Sequence, residues 1–195
     1  MRFRIVIAVM VFFTLAGNAQ QETLIGGSIE SSLFGAPVVK MSHIGASTGV
    51  LVGGRGGWII NKTLSVGAGG YGLVNNVRAR TEGPDGERYM NMGYGGLELE
   101  YIHNYDELLH YTFYTLIGAG GVNYRGQEHH DDSIDWERIF FVLEPGANFE
   151  LNVTEFFRFS FGISYRFVTG LNTQITSDDD LRGLNGVLMF KFGKF

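Results

Sequence analysis

Four glutamates, three arginines and one histidine stand where a strand-like alternation would set them on one face: Arg55, Glu98, Glu100, His110, Glu144, Glu150, Arg158 and Arg166. Carboxylates and cations shut away from water neutralise one another, and either kind left unpaired there is strongly destabilising. Counting back through a three-residue turn at 153–155 puts Glu150 opposite Arg158 and Glu144 diagonal to Arg166. Both spacings lie within reach of long side chains on paired strands. The same counting through 104–106 puts Glu100 opposite His110. These residues read as an interior polar network.

Two other groupings invite chemistry. His129, His130, Asp131 and Asp132, flanked by Glu128 and Asp135, offer ligand types suited to a divalent cation. Neighbours in one loop rarely all converge on one ion, so the expected reading is a solvated acidic loop with no metal. His43, His103 and His110, with Ser42, Ser47 and Ser160, supply the inventory of a hydrolase or acyltransferase acting on lipid A or phospholipid. No nucleophile-elbow motif surrounds any of the serines. The expectation is no enzyme, no catalytic residue and no cofactor. The absence of cysteine excludes disulfides, thiolate metal sites and thiol nucleophiles.

The elements that must position the charged set are strands. Phe157, Phe159, Phe161, Ile163, Tyr165 and Phe167 share one parity, and Arg158, Ser160, Gly162, Ser164 and Arg166 share the other. With a side-chain period of two, one face is an aromatic wall and its reverse is polar. Eight such stretches can be counted, at 28–41, 50–60, 64–74, 89–102, 109–124, 139–151, 157–168 and 184–195. After an intermediate loop at 43–47, short turns at 61–63, 104–106 and 153–155 alternate with long polar loops at 75–88, 125–137 and 169–183. Alternating connection lengths are the mark of an up-and-down barrel with one short-turn rim and one long-loop rim. A barrel of that size is about wide enough to be filled by its own side chains, which makes the lumen plugged.

Trp58, Tyr101, Tyr111, Phe157, Phe190 and Phe192 fall near the short-turn rim, and Tyr89, Tyr124, Trp136, Tyr165 and Phe167 near the long-loop rim. Two such belts suit the two interfaces of a membrane. Pro37 and Pro145 interrupt the pattern and are expected to mark bulges or local edge character, and the pairs Gly69-Gly70 and Gly95-Gly96 bulges.

Arg2 and Arg4 precede an apolar run over 5–16, and Gly17-Asn18-Ala19 puts small residues before a cut after Ala19. This reads as a signal peptide over 1–19, leaving a barrel domain over 20–195. Loss of those two arginines moves the formal charge from −5 to −7, which argues against nucleic acid as a partner.

With these features the chain resembles the small eight-stranded outer-membrane β-barrels, the class of OmpX and the OmpA transmembrane domain. The likeness is carried by the Ala19 cleavage site, the alternating strands and the terminal Met189-Phe190-Lys191-Phe192-Gly193-Lys194-Phe195. One departure is that Leu188, Phe190 and Phe192 lie on the opposite parity from Phe195. The resemblance implies an all-β, eight-stranded antiparallel up-and-down transmembrane barrel in the bacterial outer membrane. It further implies contact with outer-membrane lipid and lipopolysaccharide, and insertion by the barrel-assembly machinery. The role expected is structural or one of surface interaction, with loops 75–88, 125–137 and 169–183 able to meet an extracellular protein or glycan. The alternatives are a narrow, gated, porin-like channel and a secreted lipocalin-like barrel with its apolar face turned inward to a hydrophobic ligand.

Overall fold

A computed structural model describes residues 30–45, 47–78, 88–126, 138–171 and 177–195. The proposed signal peptide at 1–19, His129, His130, Asp131, Asp132 and Trp136 lie outside them. The strands are β1 (Ser31–Ile44), β2 (Ser47–Ile60), β3 (Leu64–Leu73), β4 (Val77–Arg78), β5 (Arg88–His103), β6 (Leu109–Gly126), β7 (Arg138–Thr154), β8 (Phe157–Thr169) and β9 (Gly183–Gly193). One helical turn, α1 (Asp178–Leu181), precedes β9. Every pairing is antiparallel. The order runs β3-β2-β1-β9-β8-β7-β6-β5, and β5 pairs back onto β3, so eight staves close into a barrel. The two-residue β4 is an addition to the eight strands expected and pairs with β5 beside the closure.

The turns follow local chemistry. Asn61 and Lys62 both take positive φ, 48° and 56°, which gives the tight β2–β3 reversal its twist. The side-chain oxygen of Asn61 accepts the Glu30 N–H at 3.1 Å. The first connection is shorter than the sequence suggests. β1 runs on to Ile44, β2 starts at Ser47, and Gly45 at φ 57° makes the reversal.

None of the interruptions is a bulge, but both prolines show the local edge character expected of them. Pro37 stays in register with Gly54 and Pro145 with Thr115. On the other side of each proline the ladder lapses, between Gly35↔Phe192 and Val38↔Met189, and between Leu143↔Phe167 and Gly146↔Ser164, with no change of register. A residue without an N–H forfeits one ladder contact, not its place in the strand. The glycine pairs keep register too, from Leu64↔Tyr101 through Gly72↔Gly93. What changes there is the chemistry of the inward face, from Glu98 and Glu100 to Tyr94, Met92 and Met90. The one register shift in the β7–β8 ladder lies between Asn152 and Thr154.

Facing is uniform around the staves. Phe113, Ile117, Phe141, Phe149, Phe161 and Ile163 are exposed on the outside, while Arg158, Ser160, Ser164 and Arg166 are buried on the inside. This is the reverse of a ligand-binding secreted barrel, so the lipocalin-like alternative falls. Among the described belt residues, Tyr124 is the exception: it packs against the inner cluster. Inside, glycine makes room for large polar side chains. A Cβ on Gly146 would stand 2.6 Å from the ring of Tyr114. Gly146→Val is expected to lower stability by about 1–3 kcal/mol through overpacking, measured as a shift in the urea midpoint of the barrel in lipid vesicles.

Candidate functional site

The lumen holds two ionic clusters stacked along the axis. In the lower one, toward the short turns, Arg55 meets Glu100 at 2.6 Å and Glu98 at 3.0 Å. Lys191 bridges Glu150 at 2.7 Å and Glu100 at 3.4 Å. Glu150 also receives Arg158 at 3.2 Å, Ser160 at 2.8 Å and lies 3.4 Å from His110. Each of these carboxylates serves at least one cation, the condition under which buried charge is tolerated.

The upper cluster centres on Glu144. It accepts from the Lys40 ammonium at 2.6 Å, the Tyr94 hydroxyl at 2.6 Å and the Ser164 hydroxyl at 2.7 Å. Tyr71 links the tiers: its hydroxyl donates to Glu98 at 2.7 Å, and the Lys40 ammonium sits 3.4 Å from its ring centroid. Arg166 lies above, donating to the Leu181 carbonyl at 2.8 Å and to Ser42 Oγ at 3.1 Å. It ties the barrel wall to α1.

Side chains crowd both ends of the described lumen. At the long-loop end Ile44, Leu51, Met90, Phe140, Val168 and Leu181 are buried in an apolar cap. At the other end the Arg158 guanidinium lies between two rings, 3.9 Å from Tyr105 and 4.2 Å from Phe195. Phe195 therefore turns in beneath the lumen, its N–H bonded to the Glu155 carbonyl, and its odd parity against Phe190 and Phe192 has a structural use. Outside the span, Lys62 pairs with Asp106 at 2.9 Å, and that hydrogen bond raises the lysine pKa.

All eight residues singled out by alternation are buried here: Arg55, Glu98, Glu100, His110, Glu144, Glu150, Arg158 and Arg166. The expected Glu150–Arg158 contact is present at 3.2 Å, while the other counted pairs are replaced. The β5–β6 ladder closes at His103↔Tyr111, leaving 104–110 outside it, so Glu100 faces Tyr114, and His110 instead faces Glu150 across the β6–β7 ladder. The β7–β8 register sets Glu150 opposite Ser160, and Arg158 reaches it diagonally. Glu144 takes Lys40 as its cation in place of Arg166. Strand counting also missed Lys40, Lys191, Tyr71 and Tyr94. Lys191 was detectable, since it sits between the outward Phe190 and Phe192. Lys40 was not, because both parities of β1 are apolar.

Solved structures with the same architecture were found. Neisserial surface protein A superposes with a TM-score of 0.60 at 12% identity, over 87% of this chain and 100% of that one. The chain has the fold of the small eight-stranded outer-membrane barrels. OprG from Pseudomonas aeruginosa superposes with a TM-score of 0.50 at 9% identity, over 86% of this chain and 95% of that barrel. Ail from Yersinia pestis gives 0.49 at 13% identity, over 85% and 97%. No family model matches the sequence. No curated protein matches it either.

Proposed function

We propose that this barrel resides in the bacterial outer membrane, exported by a cleaved leader, and serves as a structural or surface-contact element with a plugged lumen. The observation that carries the reading is the lumen itself: two tiers of ion pairs between an apolar cap and the Tyr105–Arg158–Phe195 stack. Such an interior leaves no wide path for ions, while the apolar exterior suits lipid. The long connections are the segments through which a protein or glycan would be met, and outer-membrane lipid, lipopolysaccharide and the assembly machinery complete the partners this role requires.

No catalytic step is assigned to the barrel. His110 is held by the Glu107 carbonyl at 3.2 Å and by Glu150, Ser160 donates to Glu150, and His43 is exposed on the outer face.

Two measurements test this reading. The unboiled protein should migrate differently from the boiled protein on a denaturing gel, as a barrel that resists detergent does. In planar bilayers it should give no large, steady conductance. Steady conductance from the wild type would overturn the plugged lumen and favour the porin-like alternative.

A further inference from the structure

The buried charges of the lumen do not cancel. Among the described residues, buried lysines and arginines number five and buried glutamates four. The surplus can be placed. The lower tier is matched, with Arg55, Arg158 and Lys191 sharing Glu98, Glu100 and Glu150. In the upper tier Glu144 answers Lys40, which leaves Arg166 over.

Arg166 is wholly enclosed, yet both acceptors it bonds are neutral. Its Nε donates to the Leu181 carbonyl at 2.8 Å and its Nη2 to Ser42 Oγ at 3.1 Å. Its Nη1 is buried with no hydrogen-bond partner. The Tyr94 ring, centred 5.6 Å from the guanidinium carbon, offsets the charge only in part. The acids of α1 are engaged elsewhere: Asp178 and Asp179 pair with Arg182, and Asp180 accepts from the Ser177 N–H and hydroxyl. Among the described residues no carboxylate forms an ion pair with Arg166.

Register sets small polar groups around this guanidinium. Arg166 pairs with Gly183 on β9 and reaches past it to Ser42 on β1, where a Cβ on Gly183 would stand 3.8 Å from Ser42 Oγ. One step toward the short turns, the row Ser42–Asn185–Ser164 crosses the same three strands, and the Asn185 amide oxygen is also unpartnered. Neutral acceptors satisfy the donors of a guanidinium but not its charge, and a buried charge without a counter-charge is strongly destabilising.

We propose that the barrel holds one small monovalent anion of chloride size inside the upper lumen, against Arg166 Nη1 and beneath α1. The anion accepts from the one guanidinium nitrogen left without a partner and brings the upper tier to neutrality. A water in its shell would donate to the Asn185 amide oxygen. Size selects the class: a single orphan donor suits a halide, whereas a phosphate or carboxylate ligand calls for several donors at once. Leu181 and Phe140 are fully buried in the cap above, so the ion enters as the barrel closes. It is an integral ion of the fold, beyond the structural or contact role assigned above.

The full mature barrel is refolded into detergent with sodium bromide and crystallised, and anomalous scattering at the bromine edge locates the halide. One enclosed peak within hydrogen-bond reach of Arg166 Nη1 is expected. No peak in the upper lumen, or peaks on the outer surface alone (an adventitious ion only), would overturn the proposal. Refolding into lipid vesicles gives a second readout. Chloride at about ten times its dissociation constant should raise the folding equilibrium constant about tenfold over gluconate at equal ionic strength. Ser42→Asp sets a carboxylate where Nη2 already bonds, and should abolish both the chloride dependence and the bromide peak. Arg166→Met, which removes the guanidinium, should abolish them too. Chloride dependence kept in either folded variant, or none in the wild type, would sink the idea. Heat-modifiability on gels reports whether each variant folds, and if neither does, the wild-type bromide map decides alone.

Discussion

Glu144→Ala should destabilise the barrel by about 3–5 kcal/mol, the range for stripping one partner from a buried charge pair. Glu144 is fully enclosed and, among the described residues, is the single carboxylate bonded to Lys40, which is itself 1% exposed. Removing it strands an ammonium in a low-dielectric interior and takes the acceptor from both Tyr94 and Ser164. The double variant Lys40→Met/Glu144→Leu should lose less than Glu144→Ala alone, because no charge is then left unpaired and the volume is kept. Urea titration of refolded protein in lipid vesicles, followed by intrinsic fluorescence, measures both. A double variant no better than Glu144→Ala would mean that the hydroxyl network, not the charge, dominates the upper tier.

Ile163→Arg should cost about 2–4 kcal/mol, whereas Phe167→Arg on the same strand and face should cost about 0–1 kcal/mol. Ile163 lies at the middle of β8, is 56% exposed on the outer wall and has only Ala147 and Gly186 beside it across the two ladders. A guanidinium there has nothing polar to meet and must sit in hydrocarbon. Phe167 is two residues from the end of β8, where a long side chain can reach the interface. The same titration reads both variants. Equal, small losses at the two sites would show that the outer wall meets water, and the membrane assignment would fail.

The two expectations draw on different parts of the chain's information. Which way a side chain points is a local property with period two, and β8 alone orients Phe161, Ile163, Arg158 and Arg166. That much was readable without coordinates wherever one parity was clearly apolar. It failed on β1, where Val38 and Val39 are equally greasy and only closure against β9 sends Lys40 inward. Composition along a strand was legible but misread at the Gly95-Gly96 pair. The inward face there changes from charged to apolar without changing sides, because the lumen itself is stratified.

The all-β pattern, the alternating connections and the inward side of most charged residues are written in the order of the residues. Those follow from side-chain period and turn chemistry, each decided within a few residues. Tertiary structure alone decided who meets whom. A connection four residues longer than counted, 104–110 between the paired ends of β5 and β6, leaves every side chain on its original face yet moves Glu100 from His110 to Tyr114. The Lys40–Glu144 contact joins residues 104 positions apart and exists only because the sheet closes on itself. The fold of Phe195 under Arg158 likewise depends on where the last strand ends relative to the β7–β8 turn. Facing is written along each strand, but partnership is a property of the closed ring.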